Sequence, residues 1–360
     1  MLPLLYESTH PILMPDRMKY LGRFTKCKGC KVSSQINDSY EVSASFSIND
    51  DLINEIQNQR FLMAKPNPFD SPQFFEIYNY VEENNAVTVK GRHIKHCVYN
   101  NMVYSDFQSQ AMSDTPQGHW DFCTQDLSYD NFFSFSSSII FKKSMEIGYS
   151  KADTLGKFLE EMAQAFGGEF YYDNFNISFL QRIGSKKNYV LRWNRNITDP
   201  KLTLTADTVY SHVVAYGNFT IKDYGYSTQI CSTPVSIGSG QKLYKIYMYD
   251  ATNELGNAEI DHDQISSAKA TLHSIARRYA ENAGVAIQTS ESPNLTVNYS
   301  PILDEMKEIA LGDTINVALK SGRTVEAKIT KTEFDSLTER WTAIELGKEK
   351  IKLCDYIARR

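Results

Sequence analysis

Between Tyr40 and Ile48 every second residue is apolar: Tyr40, Val42, Ala44, Phe46 and Ile48 alternate with Glu41, Ser43, Ser45 and Ser47. A period of two sends alternate side chains to opposite faces, so this segment is expected to be a half-buried antiparallel strand. Asn37-Asp38-Ser39 in front of it predicts a hairpin turn, with residues 32–36 as the partner strand. The same pattern returns along the chain. Residues 74–81 and 86–92 flank Glu83-Asn84-Asn85, and residues 169–172 and 175–180 flank Asp173-Asn174. Residues 190–193 and 208–216 read as further strands. Residues 314–319 and 323–332 flank Ser321-Gly322, and 340–346 follow a turn at 336–339.

Helical periodicity is rarer. Asn49-Asp50 predicts a short helix carrying Leu52, Ile53 and Ile56 on one face. Leu155, Phe158, Leu159, Met162, Ala163 and Phe166 form one apolar stripe, with Ser150 and Asp153 as a capping box and Gly167-Gly168 as the stop. A second amphipathic helix is expected over 263–283. Residues 100–149 show no clear period.

At 360 residues the chain exceeds one ordinary domain of ~100–200 residues, so two or three are expected. Its 38 Lys and Arg against 43 Asp and Glu give a net charge of −5. That balance argues against sequence-independent binding of nucleic acid or anionic lipid, and the basic residues form no stripe for specific readout. The 22 Tyr and 19 Phe suit strands and subunit interfaces. No apolar run approaches the ~20 residues that span a bilayer, so no membrane insertion is expected. Met1 to Glu7 lacks a basic leader region, so no secretory leader is expected either.

Several short constellations invite a chemical reading. Cys27-Lys28-Gly29-Cys30 has the spacing of a zinc half-site or a redox pair, and His93-Ile94-Lys95-His96-Cys97 is the nearest second half. Each borders a strand, where neighbouring side chains diverge, so packed thiols are the simpler reading. Asp261-His262-Asp263 precedes a predicted helix, where acidic residues cap and complement the dipole. His119-Trp120-Asp121 is isolated. No nucleophile elbow, zinc-protease helix, P-loop or dinucleotide fingerprint occurs. No catalytic, cofactor-binding or metal residue is therefore assigned, no cofactor is expected, and the chain is not expected to be an enzyme.

Longer stretches carry a resemblance. They are Asp38-Ser39-Tyr40-Glu41-Val42, the run from Lys65-Pro66-Asn67-Pro68 to Glu76-Ile77-Tyr78, Val87-Thr88-Val89 through Gly91-Arg92-His93-Ile94, and Leu191 to Ile197 followed by Val213 to Gly217. The closing block is the most specific: Ala310-Leu311-Gly312-Asp313-Thr314-Ile315-Asn316-Val317, then Phe334-Asp335-Ser336-Leu337-Thr338-Glu339-Arg340-Trp341, then Ile344-Glu345-Leu346-Gly347. In this order they resemble the N-terminal module of phage tail-tip proteins, the baseplate hub family that includes prophage tail endopeptidase, tail-associated lysin (Tal) and phage minor structural protein.

The resemblance implies a β-rich α+β multidomain fold, with two tube-forming β-barrel-like domains and inserted and peripheral α+β domains. The corresponding boundaries are 1–100 for the first barrel and 101–205 for a mixed side domain. The second barrel takes 206–350, with an insertion around 220–290, and 351–360 form a helical tail. It further implies a homotrimeric ring that docks on a hexameric distal tail protein and closes or continues the tail channel for DNA. Tape-measure and receptor-binding proteins would be neighbours. The chain would be made in the bacterial host cytoplasm and end in the virion tail tip. In many members wall-degrading activity lies after this module. Residues 348–360 here have room for a short helix, as in a short member or a fragment. A peptidase or wall lysin and a host-surface binding module are the alternative functions.

Overall fold

The computed structural model describes residues 1–102, 110–127, 130–147, 154–192, 197–205, 211–236, 246–255, 258–282, 292–299, 308–318 and 324–347. The expected tail at 351–360 and the expected turn at Ser321-Gly322 lie outside the described residues. The chain divides into two compact units, Met1–Leu202 with Leu295–Arg360, and Thr203–Asn294.

A thirteen-stranded mixed sheet dominates the first unit. Its early strands are β1 (Leu4–Ser8), β2 (Met18–Arg23), β3 (Cys27–Gln35), β4 (Tyr40–Ser47), β5 (Phe61–Ala64), β6 (Gln73–Glu83) and β7 (Ala86–His93). β3 and β4 are the hairpin foreseen at Asn37, which sits in the left-handed region at φ 51°. β6 and β7 are the hairpin foreseen around Asn84, at φ 46°. After Asp50 the chain makes only one 3-10 turn, Ile53–Glu55. Asp50 instead accepts from the backbone N–H of Leu52 (3.1 Å) and of Lys26 (2.6 Å), closing a turn and fixing the start of β3.

The aperiodic stretch holds β8 (Gln110–Asp114), α1 (Pro116–Cys123), β9 (Ser134–Ser137) and β10 (Lys143–Ile147), followed by α2 (Leu155–Phe166), β11 (Glu169–Asp173) and β12 (Asn176–Leu180). The α2 stripe is buried as the pattern requires: Leu155, Phe158, Leu159, Met162 and Phe166 pack with Trp120, Phe170, Ile177 and Phe179. Thr154 caps α2, its hydroxyl accepting from Lys157 N–H at 3.3 Å, and the Ser150 and Asp153 pair foreseen as a capping box lies outside the described residues. Gly167 ends the helix at φ 69°.

β13 (Lys186–Arg192) and β14 (Ile197–Thr205) return to the large sheet. The second unit then has a five-stranded sheet built on β15 (His212–Ile221), with β16 (Tyr226–Cys231), β17 (Val235–Ser236), β18 (Ile246–Asp250) and β19 (Ala258–Ile260) paired to it. After the short α3 (Thr252–Leu255), α4 (Ile265–Asn282) buries Ala268, Leu272, Ile275 and Ala276 against Val213, Ala215 and Phe219 of β15. From His212 onward the strand foreseen at 208–216 thus belongs to this smaller sheet, and β13 and β14 take their place in the larger one. β20 (Ser292–Tyr299), β21 (Thr314–Ala318), β22 (Thr324–Asp335) and β23 (Arg340–Gly347) complete the large sheet.

The order of strands in that sheet is β14-β20-β23-β22-β3-β4-β7-β6-β5-β1-β2, with β21 on β22 and β13 on β21. Two runs within it follow one plan. In the first, β3, β4, β7 and β6 lie side by side, and β5 flanks β6. In the second, β14, β20, β23 and β22 lie side by side, and β21 flanks β22. Strand lengths in that order are 9, 8, 8, 11 and 4 residues in the first run. They are 9, 8, 8, 12 and 5 in the second. Each run has its own apolar core. Val32, Val42, Phe46, Leu62, Phe75, Ile77 and Val89 belong to one. Leu191, Ile315, Ile329, Phe334, Trp341 and Leu346 belong to the other. The runs join edge to edge where Lys31–Gln35 of β3 pair antiparallel with Lys331–Asp335 of β22.

Candidate functional site

The closing block recognised in the sequence has local physical reasons. Gly312 sits at φ 87°, and a Cβ there would come within 2.7 Å of the Ile183 carbonyl oxygen. Gly184, at φ 73°, packs against the Gly312 backbone from the other side. Buried Asp313 holds the two segments together. It accepts from Ala310 N–H (2.9 Å) in its own turn and from Ser185 N–H (2.7 Å) ahead of β13. Phe334 and Trp341 pack edge to face at 5.1 Å inside the second core. Fully buried Ser336, in the turn after β22, donates its N–H to the Cys30 carbonyl (2.7 Å) and accepts from Lys65 N–H (3.0 Å) on its hydroxyl. These contacts lie within the fold, and those of Ser336 fall at the joint between the runs.

The Cys and His groups are placed differently from a metal site. A register shift between Cys27 and Gly29 turns both Cys27 and Cys30 toward the first core, so the expected divergence does not occur there. Burial pushes the Cys27 thiol up to about 11 and Cys30 higher still, which keeps both protonated and poorly nucleophilic. Cys97 is pushed up to about 12 by burial and by Glu76. His93 is fully buried and spends both ring nitrogens on the protein. Nδ1 accepts from Lys95 N–H (3.1 Å), so Nε2 donates to Gln73 Oε1 (3.1 Å). Its ring stacks on Tyr40 at 4.3 Å, and burial holds its pKa well below the ordinary value. Gln73 passes the network on, accepting from Asn174 N–H (2.6 Å) and donating to Asp173 Oδ1 (2.8 Å). His93 therefore docks the β11–β12 turn onto the start of β6.

His119 lies on α1, not in an irregular loop, and its Nε2 donates to the Lys143 carbonyl at 2.9 Å. Asp261 forms a capping box with Gln264 ahead of α4, the role its position suggested. Among the described residues no three His, Cys, Asp or Glu side chains gather as a metal site would require.

What the sequence did not single out is a surface. The distal half of β6 is exposed along its length, with Tyr78, Tyr80 and Val81 at 42, 45 and 45%. Its antiparallel neighbour β5 is only four residues long, and its first residue, Phe61, lies opposite Glu76. A long strand beside a short one was the available signal. In the second unit Tyr224 and Tyr226 are exposed at the β15–β16 turn, with His262 edge-on to Tyr224 at 5.6 Å.

Neither a protein-family model nor a curated protein matches the sequence. Solved structures do. A prophage tail protein, gp18 of Listeria monocytogenes EGD-e, superposes with a TM-score of 0.64 at 13% identity, over 99% of this chain and 98% of that one. The fold is that of prophage tail proteins. The 43 kDa tail protein of prophage MuSo2 from Shewanella oneidensis gives 0.59 at 11% identity, over 96% and 98% of the two chains. A tail protein of Neisseria meningitidis MC58 gives 0.54 at 9% identity, over 97% of each. The likeness runs the length of both partners, so it takes in both strand runs and the second unit.

Proposed function

We propose that this chain is a structural subunit of a phage tail tip, a baseplate hub. In this reading the two strand runs are two tube-forming barrel domains of one chain. Three chains would then supply six near-equivalent positions to a hexameric distal tail protein, and the ring would close or continue the DNA channel. The observation that carries the reading is the repeated strand plan, five strands in the same order twice within one sheet. A head-to-tail ring built from such a repeat has the local symmetry of a hexamer while containing three chains. The full-length likeness in fold to tail proteins supports the same reading. The chain acts in the virion tail and carries no peptidoglycan hydrolase of its own. Cys27, Cys30, Cys97 and Cys123 are held protonated by burial, which supports this part of the reading.

Electron microscopy and native mass measurement of the concentrated full chain test the proposal. A threefold ring is expected. A closed twofold dimer would overturn it. A zymogram on Gram-positive walls should stay uncleared; clearing abolished by Cys97→Ala or Cys123→Ala would overturn the non-enzymatic part.

A further inference from the structure

The two runs part company along the distal half of their longest strand, where β22 also carries a second register shift between Glu333 and Phe334. β22 pairs with β21 over Thr324–Lys328, shifts register between Ile329 and Lys331, and then pairs with β3 over Lys331–Asp335. β6 starts the same way. It pairs with β5 over Gln73–Glu76 and shifts register between Ile77 and Asn79. In both strands the irregularity ends the partnership with the short neighbour and swings the distal half away from it. The distal half of β22 then meets β3. The distal half of β6, Asn79–Glu83, pairs with β7 on one side and with no described residue on the other.

The direction of its backbone groups follows from the ladder. Ile77 donates its N–H to the Arg60 carbonyl (2.7 Å) and accepts from Gln59 N–H (2.9 Å), both on the edge away from β7. Asn79 opposes Lys90 in the next pair, and from there the direction alternates. Tyr80 and Glu82 therefore aim N–H and C=O outward, while Asn79, Val81 and Glu83 bond to β7. This edge carries Tyr, Val and Glu, without the lysine or proline by which edges are commonly blocked.

The strand that fits this edge is named by the repeat. β3 is the outermost strand of the first run and pairs with the distal half of β22. Its counterpart in the second run is β14, also nine residues long, which ends the sheet and pairs only with β20 among the described residues. We infer that copies of this chain join by pairing β14 of one copy with the distal half of β6 of the next, in the same sense as β3 pairs with β22. The joint is head-to-tail: each copy offers one β14 edge and one β6 edge, and repetition continues until the ring closes. The inference rests on the proposed hub reading and names the contact that reading requires.

The test uses the full chain, mixed equally from natural-abundance and isotope-labelled preparations, concentrated and treated with a zero-length carbodiimide. Cross-linked peptides of mixed label are expected between residues 79–83 of one copy and 197–205 of another. Tyr80→Pro removes one outward N–H and leaves the ladder to β7 intact, so it should weaken self-association about tenfold, the order of one hydrogen bond. Val81→Lys, on a half-exposed side chain, gives a second variant that keeps the fold and should weaken association in the same direction. If a ring forms but the mixed-label links from 79–83 run to another segment, or if both variants assemble like the parent, the strand inference is overturned and the hub reading stands. If a twofold dimer forms instead, the hub reading falls. Absence of any mixed-label link at 79–83 overturns the inference in either case.

Discussion

β6 and β22 occupy matching places in two matching runs, yet only β22 is paired along most of its outer edge. The comparison teaches that strand propensity and burial are separate matters. Residues 78–81 of β6 have good strand formers in two tyrosines and a valine, but their side chains are half in water. Phe334 of β22 lies in an equally extended segment and is fully buried, because β3 and the joint beside it close the core there.

If the runs are two cores within one sheet, their losses should add. Phe75→Ala in the first core and Leu346→Ala in the second should each cost about 2–5 kcal/mol in urea unfolding. The double variant should equal the sum within about 0.5 kcal/mol. A large coupling between them would break the picture of separate cores.

The turn into β21 sharpens the contrast with a looser one. Gly312→Ala forces a left-handed alanine against the Ile183 carbonyl, and a loss of about 3 kcal/mol is expected from backbone strain and the clash together. Gly225→Ala, at φ 63° with open space around it, should cost about 1 kcal/mol. Equal losses would remove the close approach of Gly312 and Gly184 from the argument.

His93 tests the first run through pH. Burial lowers its folded pKa below the unfolded value of about 6.5, so the unfolded chain takes up the extra proton first. This contribution is whole above about pH 6.5 and is lost as pH falls toward the folded value. As pH falls below about 6.5 stability should drop, by at most about 1.4 kcal/mol per pH unit, and His93→Gln should flatten that slope. An unchanged slope would mean the drop belongs to other groups. Glu333 and Glu339, whose folded values are lowered, act in the same direction at more acid pH. The side-chain hydrogen bond from Thr342 leads the lowering at Glu333, against desolvation, and that from Lys65 leads it at Glu339.

The smallest effect is local. In dilute monomeric chain the outward amides of Tyr80 and Glu82 should exchange quickly with deuterium, while the distal half of β22 should be slow throughout. Protection at Tyr80 and Glu82 that appears only on concentration would tie the open edge to assembly.

The sequence alone determined the hairpins, the α2 stripe and the α4 cap. Their signals are local: period two around Asn37 and Asn84, period 3.6 from Leu155 to Phe166, and Asp261 ahead of a helix. It also marked Gly312 and Asp313, because a turn into a strand writes itself in Gly and Asp. Tertiary structure decided which sheet each strand joined. The strand at 212–221 has the pattern of a sheet-core strand, and nothing in that pattern says which sheet will receive it. Tertiary structure also decided that Cys27 and Cys30 share a face, since one irregularity in register reverses the alternation that sequence spacing assumes. The open edge of β6 was hidden for the same reason. A strand's own residues fix its faces, but its edges are satisfied by whichever segment comes alongside.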